Sequence, residues 1–193
     1  MVTRPLGEPK IAPAEARARL AALPWVKRAS LTVGGLGFAR FAPGTWGSLP
    51  PCALVLGLVA VLPPETGWVI QVSLLAMLAW ACTACVAWGG AAEEALGGSD
   101  PSCVVVDEVA GMCIAMLGLR WPLRTEATDH RWLLTTVLAV ALAFVLFRAF
   151  DVLKPPPCNA LQRIPGGKGI LLDDVFAGIY ACVIMHVIGP LAG

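Results

Sequence analysis

The sequence predicts an all-α, polytopic membrane bundle of about five helices, with its suspicious charges gathered on one face. Three observations carry this. Hydrophobic residues make up 58% of the 193 residues and charged residues only 14%, against roughly half and a quarter in soluble domains. Mean hydropathy is +0.76. Five apolar runs follow one another at about 49–63, 67–90, 104–119, 132–153 and 174–189, and about 20 apolar residues cross a bilayer as helix.

The length suits one domain, read as a basic tail at 1–29 and a single membrane domain at 30–193. In the tail, Glu15 to Leu23 reads as a short amphipathic helix on a membrane surface or as part of a loosely ordered segment. No apolar h-region with a cleavage site follows its bases, so it does not read as a signal peptide. Residues 34–48, rich in Gly and Pro, read as a loop. The first run is short and bounded by prolines. The second is the safest span, free of charge from 67 to 90. The third and fifth carry acids at their starts and read as short or tilted spans, or as buried helices. The fourth ends in Arg148, Asp151 and Lys154 ahead of Pro155-Pro156-Pro157.

Net charge is +1, which gives no footing for nucleic-acid binding. Seven cysteines, an odd number scattered through apolar runs, are not a disulfide framework. Cys82 and Cys85 form a CxxC inside an apolar helix with no partner pair, where a zinc site needs four clustered ligands. The two histidines, His130 and His186, fall far from the acids.

With a cytosolic N-terminus and five spans, seven Lys or Arg precede the first span. Four lie in the segment around 148–173, and three lie in the loop 120–131. The excess faces the cytosol, as positive-inside orientation requires. The same topology brings the Gly-rich loop, Asp107-Glu108, Arg148-Asp151-Lys154 and Asp173-Asp174 to that one face. Ionisable groups at membrane depth are costly and are usually kept for function.

Four clustered carboxylates repel one another unless a cation neutralises them. Oxygen-only ligands suit Mg²⁺ or Mn²⁺, so Asp107, Glu108, Asp173 and Asp174 are metal-ligand candidates; helix caps and surface acids are the plain alternative. Arg148, Asp151 and Lys154, at i, i+3 and i+6, share one broad helix face, where the two bases can grip a phosphate or snorkel to headgroups. Gly44, Thr45 and Ser48 sit in a segment with hydroxyls and N–H groups for an anion. Lys168, in Gly166-Gly167-Lys168-Gly169, can reach a phosphate from a flexible loop or simply belong to a solvated turn. A Cys-x₅-Arg loop is absent, since Cys158 and Arg163 are one position too close. Two rivals from other classes are a small ion-coupled transporter and a non-catalytic lipid-binding subunit. Acids at one end of every run, rather than mid-membrane, favour an enzyme.

Four segments in order resemble the phosphatidylglycerophosphatase A family of bacteria. They are Phe41–Ser48 (FAPGTWGS), Val106–Met112 (VDEVAGM), Phe147–Pro155 (FRAFDVLKP), and Gly166–Ile170 (GGKGI) with Leu172–Gly178 (LDDVFAG). The resemblance implies a helical inner-membrane lipid phosphatase, dependent on Mg²⁺, that converts phosphatidylglycerol phosphate to phosphatidylglycerol and phosphate. It implies Asp107, Glu108, Asp173 and Asp174 at the metal, with Arg148, Asp151 and Lys154 beside them. The expected catalytic set is Asp107, Arg148, Asp151, Lys154 and Asp173.

Overall fold

The computed structural model describes residues 12–97, 101–122, 131–158, 164 and 166–188. Among them every regular element is helical: α1 (Pro13–Leu20), α2 (Trp25–Leu31), α3 (Pro43–Val61), α4 (Trp68–Leu96), α5 (Val106–Met116), α6 (Arg131–Leu153) and α7 (Gly167–Ile188), with 3₁₀ turns at Leu36–Phe38 and Pro64–Thr66. The expectation of a helical membrane bundle holds. His130 and Arg163 lie outside the described residues.

Among the described residues, four segments are long and apolar enough to cross a bilayer: Pro43–Val61, Pro64–Leu96, Arg131–Leu153 and Gly167–Ile188. The third run supplies α5, whose 11 residues reach about 16 Å, too short for the hydrocarbon core. Turns flank it on either side, at 102–103 and 117–118. Val105 N–H donates to Leu31 C=O (2.9 Å) at one end. At the other, the Gln71 side chain, near the start of α4, receives Gly118 N–H (2.9 Å) and donates to Leu119 C=O (2.8 Å). α5 packs against α3, α4, α6 and α7 and buries nearly every side chain, including Val109, Met112, Cys113 and Met116. It is therefore the hub of the bundle rather than a fifth lipid-facing span.

Helix boundaries differ from expectation in α3, α7 and α4. The FAPGTWGS segment is not a loop throughout, because α3 starts at Pro43. Proline fits the first turn, where its missing N–H is not needed, and Ala42 precedes it at φ 45°. Pro50 and Pro51, expected to bound the helix, lie inside it. α7 starts at Gly167, so Lys168 occupies its first turn and Asp173-Asp174 its second. α4 continues past the apolar run to Leu96 and ends on Gly97 at φ 72°.

Small residues set how closely the helices approach. A Cβ on Gly178 would lie 2.4 Å from the Gly111 carbonyl oxygen, and one on Gly111 would lie 2.4 Å from the Phe147 ring. These contacts lock α5, α6 and α7 together at the level of the acids.

Candidate active site

The start of α3, the start of α5, the end of α6 and the start of α7 meet at one end of the bundle. Each brings part of the charge cluster. α5 begins with Val106-Asp107-Glu108, so both acids lie in its first turn, where the helix dipole favours negative charge. Asp107 is buried. Glu108 forms an ion pair with Arg148 of α6 and accepts a hydrogen bond from Ser48 Oγ (3.3 Å) of α3. The same Arg148 Nη1 contacts Asp151 Oδ2 at 2.9 Å. Arg148 is thus held between two carboxylates from different helices, which fixes where its fork points.

Lys154 does not continue the α6 face as its i+6 spacing suggested. The helix ends at Leu153, and Lys154 adopts φ 46°, with its N–H donating to Phe150 C=O (2.8 Å). A side chain in this left-handed conformation is uncommon and costs energy, and such outliers concentrate at functional sites. The turn carries the ammonium across to Asp173 of α7, with which it pairs. Tyr180 secures the turn from below: its hydroxyl donates to Pro156 C=O and its ring lies 5.4 Å from that of Phe150.

Asp173 and Asp174 are both buried in the second turn of α7. With Asp151 they place one ligand oxygen each within 4.8 Å of one another. Asp174 Oδ2 is buried without a hydrogen-bond partner. A buried carboxylate oxygen left so is expensive, and a divalent cation removes the cost. Three carboxylates form an all-oxygen donor set, which fits Mg²⁺ or Mn²⁺. Asp107 and Glu108 remain electrostatic neighbours of Asp174. Of the four acids expected at a metal, the two on α7 join Asp151, whereas Glu108 faces Arg148.

The α3 segment contributes differently from a simple anion cradle. Thr45 and Trp46 N–H both point back to Ala42 C=O (2.9 and 3.4 Å). Ser48 Oγ also lies 2.9 Å from Gly44 C=O. Gly44 is buried against the ion pair: a Cβ there would stand 1.8 Å from Glu108 Oε1 and 3.0 Å from Arg148 Nη1. Its role is clearance. Lys168 is exposed. The loop ahead of it is held by Glu93 of α4, which accepts Gly166 N–H (2.8 Å), and α4 and α7 touch at Gly89 and Gly167.

Two residues escaped the sequence reading. Tyr180 is the single tyrosine of the chain, and a polar tip in an apolar run was the available signal. Glu93 gave none, because acids past a span usually face water. Cys158, buried just after the Pro155–Pro157 turn, lies within electrostatic reach of Asp173 and Asp151. Burial, and then Asp173, push its pKa up; burial likewise holds Cys103 at about 11. Neither offers a thiolate nucleophile.

A family model described as phosphatidylglycerophosphatase A matches residues 29–189. Among curated proteins, the chain is 34% identical to a Bacteroides thetaiotaomicron protein whose name gives phosphatidylinositol-3-phosphatase as a provisional assignment, over 79% of this chain and 87% of that one. It is 31% identical to the Haemophilus influenzae phosphatidylglycerophosphatase A (82% and 86% covered). It is 34% identical to the Escherichia coli phosphatidylglycerophosphatase A (82% and 81% covered). No solved structure gives a significant match. All four charge-bearing and Gly-rich segments, the buried acids and the paired bases fall inside the matched span, and the chain belongs to the phosphatidylglycerophosphatase A family of phosphatases.

Proposed function

We propose that this chain hydrolyses phosphatidylglycerol phosphate to phosphatidylglycerol and inorganic phosphate, and that it requires Mg²⁺. The observation that carries the metal is the trio Asp151, Asp173 and Asp174, with ligand oxygens within 4.8 Å and Asp174 Oδ2 buried without a hydrogen-bond partner. These three would hold the ion. When bound, the cation draws charge from the phosphate oxygens as a Lewis acid. The names of two relatives support the lipid.

The protein's own groups do the remaining work. Among the described residues, Glu108 and Asp151 engage Arg148 through Nη1, which leaves the other side of the guanidinium for a phosphoryl oxygen. Lys154, drawn over the acids by its turn and Asp173, adds a second positive charge where the phosphoryl group gains negative charge in the transition state. Water attacks phosphorus in line and the P–O bond to glycerol breaks. The water's proton passes to a carboxylate of the cluster, with Asp107 in reserve beside it, and a proton returns to the departing glycerol oxygen. The bundle holds these groups fixed, so little reorganisation accompanies the step.

We place the active face on the cytosolic side of a bacterial inner membrane, supported by the excess of bases around the site's end. The test uses purified protein in mixed micelles. Phosphate release is measured from phosphatidylglycerol phosphate and, separately, from phosphatidylinositol 3-phosphate, with Mg²⁺ and with excess chelator. The expected outcome is faster release from the glycerol lipid, abolished by chelator and restored by Mg²⁺. Full turnover in chelator removes the metal; preference for the inositol lipid replaces the substrate.

A further inference from the structure

Residues 12–42, ahead of α3, form a docked unit, not a loose tail. α1 buries Ala16 and Leu20, one turn apart, against the bundle. Arg19 Nη1 reaches Leu96 C=O at the end of α4 (3.4 Å), and the Arg17 guanidinium stands 5.0 Å from the Phe38 ring centroid. Leu31 C=O is tied to Val105 N–H next to α5. This unit therefore sits at the end of the bundle that holds the acids.

Its outer surface combines two features that oppose each other in water. Trp25 is 72% exposed, Phe41 78% and Trp46 48%. Between and beside them stand Lys27, Arg28 and Arg40, and Arg40 lies 5.8 Å from the Phe41 ring centroid. Over residues 12–42 there are five bases and one acid, Glu15, which Arg19 already pairs. Exposed Trp and Phe prefer the headgroup layer, and bases beside them favour anionic lipids.

We infer that α1, α2 and the chain up to Trp46 form a collar that lies in the headgroup layer of the leaflet on the active-site side and selects anionic lipids there. Anionic lipid is the chemistry that matches an aromatic, positively charged rim. The site beside it carries net negative charge, so the collar gathers lipid phosphates that the acids alone repel.

The test reads lipid contact without catalysis. The full chain is reconstituted in phosphatidylcholine vesicles containing phosphatidylserine, with brominated acyl chains on one lipid or the other at equal mole fraction. Tryptophan quenching is compared with that of a Trp25→Phe, Trp46→Phe variant, so that the difference reports the collar. The expected result is quenching of that fraction with a preference of about fivefold for brominated phosphatidylserine. The preference is lost in a Lys27→Gln, Arg28→Gln, Arg40→Gln variant and in high salt. None of these bases belongs to the catalytic cluster, so turnover of a short-chain, water-soluble substrate stays at the wild-type level. Equal quenching by the two brominated lipids, or a preference that survives removal of the three bases, overturns the inference. So does the absence of any Trp25- and Trp46-dependent quenching. Because no arm of the quenching experiment depends on turnover, its failure is separable from a failure of the lipid-phosphatase reading.

Discussion

Gly44→Ala should abolish most activity while sparing the fold. An ideal Cβ at this position falls 1.8 Å from Glu108 Oε1 and 2.7 Å from its Cδ. Real Cβ contacts essentially never come under 3.0 Å, so a displacement of at least 3.0 − 1.8 = 1.2 Å is required. The obstacle is the tip of a side chain rather than backbone, so Glu108 moves and the helices stay. Moving it breaks the pair with Arg148 and the hydrogen bond from Ser48. Misplacing a catalytic group by about 1 Å costs on the order of a hundredfold in rate, and overpacking costs stability only about 1–3 kcal/mol. The assay is kcat and KM on the lipid phosphate in micelles, alongside a thermal melt. Gly57→Ala, on the same helix with nothing within 4 Å, is the control and should match wild type. Adding Glu108→Asp to Gly44→Ala withdraws the carboxylate by one methylene and should recover part of the lost rate. Wild-type turnover in Gly44→Ala, or no recovery in the double variant, refutes the claim that Gly44 is there to make room for the Glu108–Arg148 pair.

Other substitutions separate chemistry from architecture. Gly167→Ala should damage the fold itself, since its Cβ would lie 1.8 Å from the Cys85 carbonyl oxygen; a lowered melting midpoint and reduced membrane yield are expected, and an unchanged melt would show that α4 and α7 can part cheaply. Asp107→Asn and Asp173→Asn should each remove turnover and leave membrane levels nearly intact, because asparagine keeps the shape of aspartate, even though Asp173→Asn gives up the pair with Lys154; unchanged turnover in both would make the acids structural. Arg148→Lys should cost about a hundredfold in rate, as an ammonium cannot copy a fork held between Glu108 and Asp151. Lys168→Arg, exposed in the first turn of α7, should stay near wild type; equal losses at the two positions would shift the phosphate grip to the α7 start.

Much of this site was legible because charge in an apolar chain is conspicuous. Asp107-Glu108, Arg148-Asp151-Lys154 and Asp173-Asp174 stood out against hydrocarbon, and topology alone predicted a shared face. What stayed hidden depended on neighbours distant in sequence. Gly44 and Gly167 read as loop residues, since glycine signals a turn and a close helix contact in the same letter. Each is helical here because another helix passes where a Cβ would be. Lys154 read as a continuation of α6 because periodicity does not reveal that the turn before three prolines swings the side chain across to Asp173. Asp151 read as the partner of Arg148, which it is; its place beside Asp173 and Asp174 follows only from how α6 crosses α7.

The burial of α5 on all sides bears on how the protein is made. With 11 residues and two carboxylates in its first turn, α5 is a poor client for insertion on its own, since it is too short to cross the hydrocarbon core and its acids disfavour transfer into lipid. Arg148, which pairs Glu108, and Gly178, which seats against Gly111, lie later in the chain. Between Met116 and Ile188 are 188 − 116 = 72 residues, roughly 4–14 s of synthesis. During that interval the hub of the enzyme has α3 and α4 beside it but lacks α6 and α7, the two later helices that complete its enclosure. Quality-control proteases therefore have a timed view of an unfinished core. Gly178→Leu, which blocks the last helix from closing on it, should shorten the half-life of new chains in a pulse-chase while leaving their rate of synthesis unchanged.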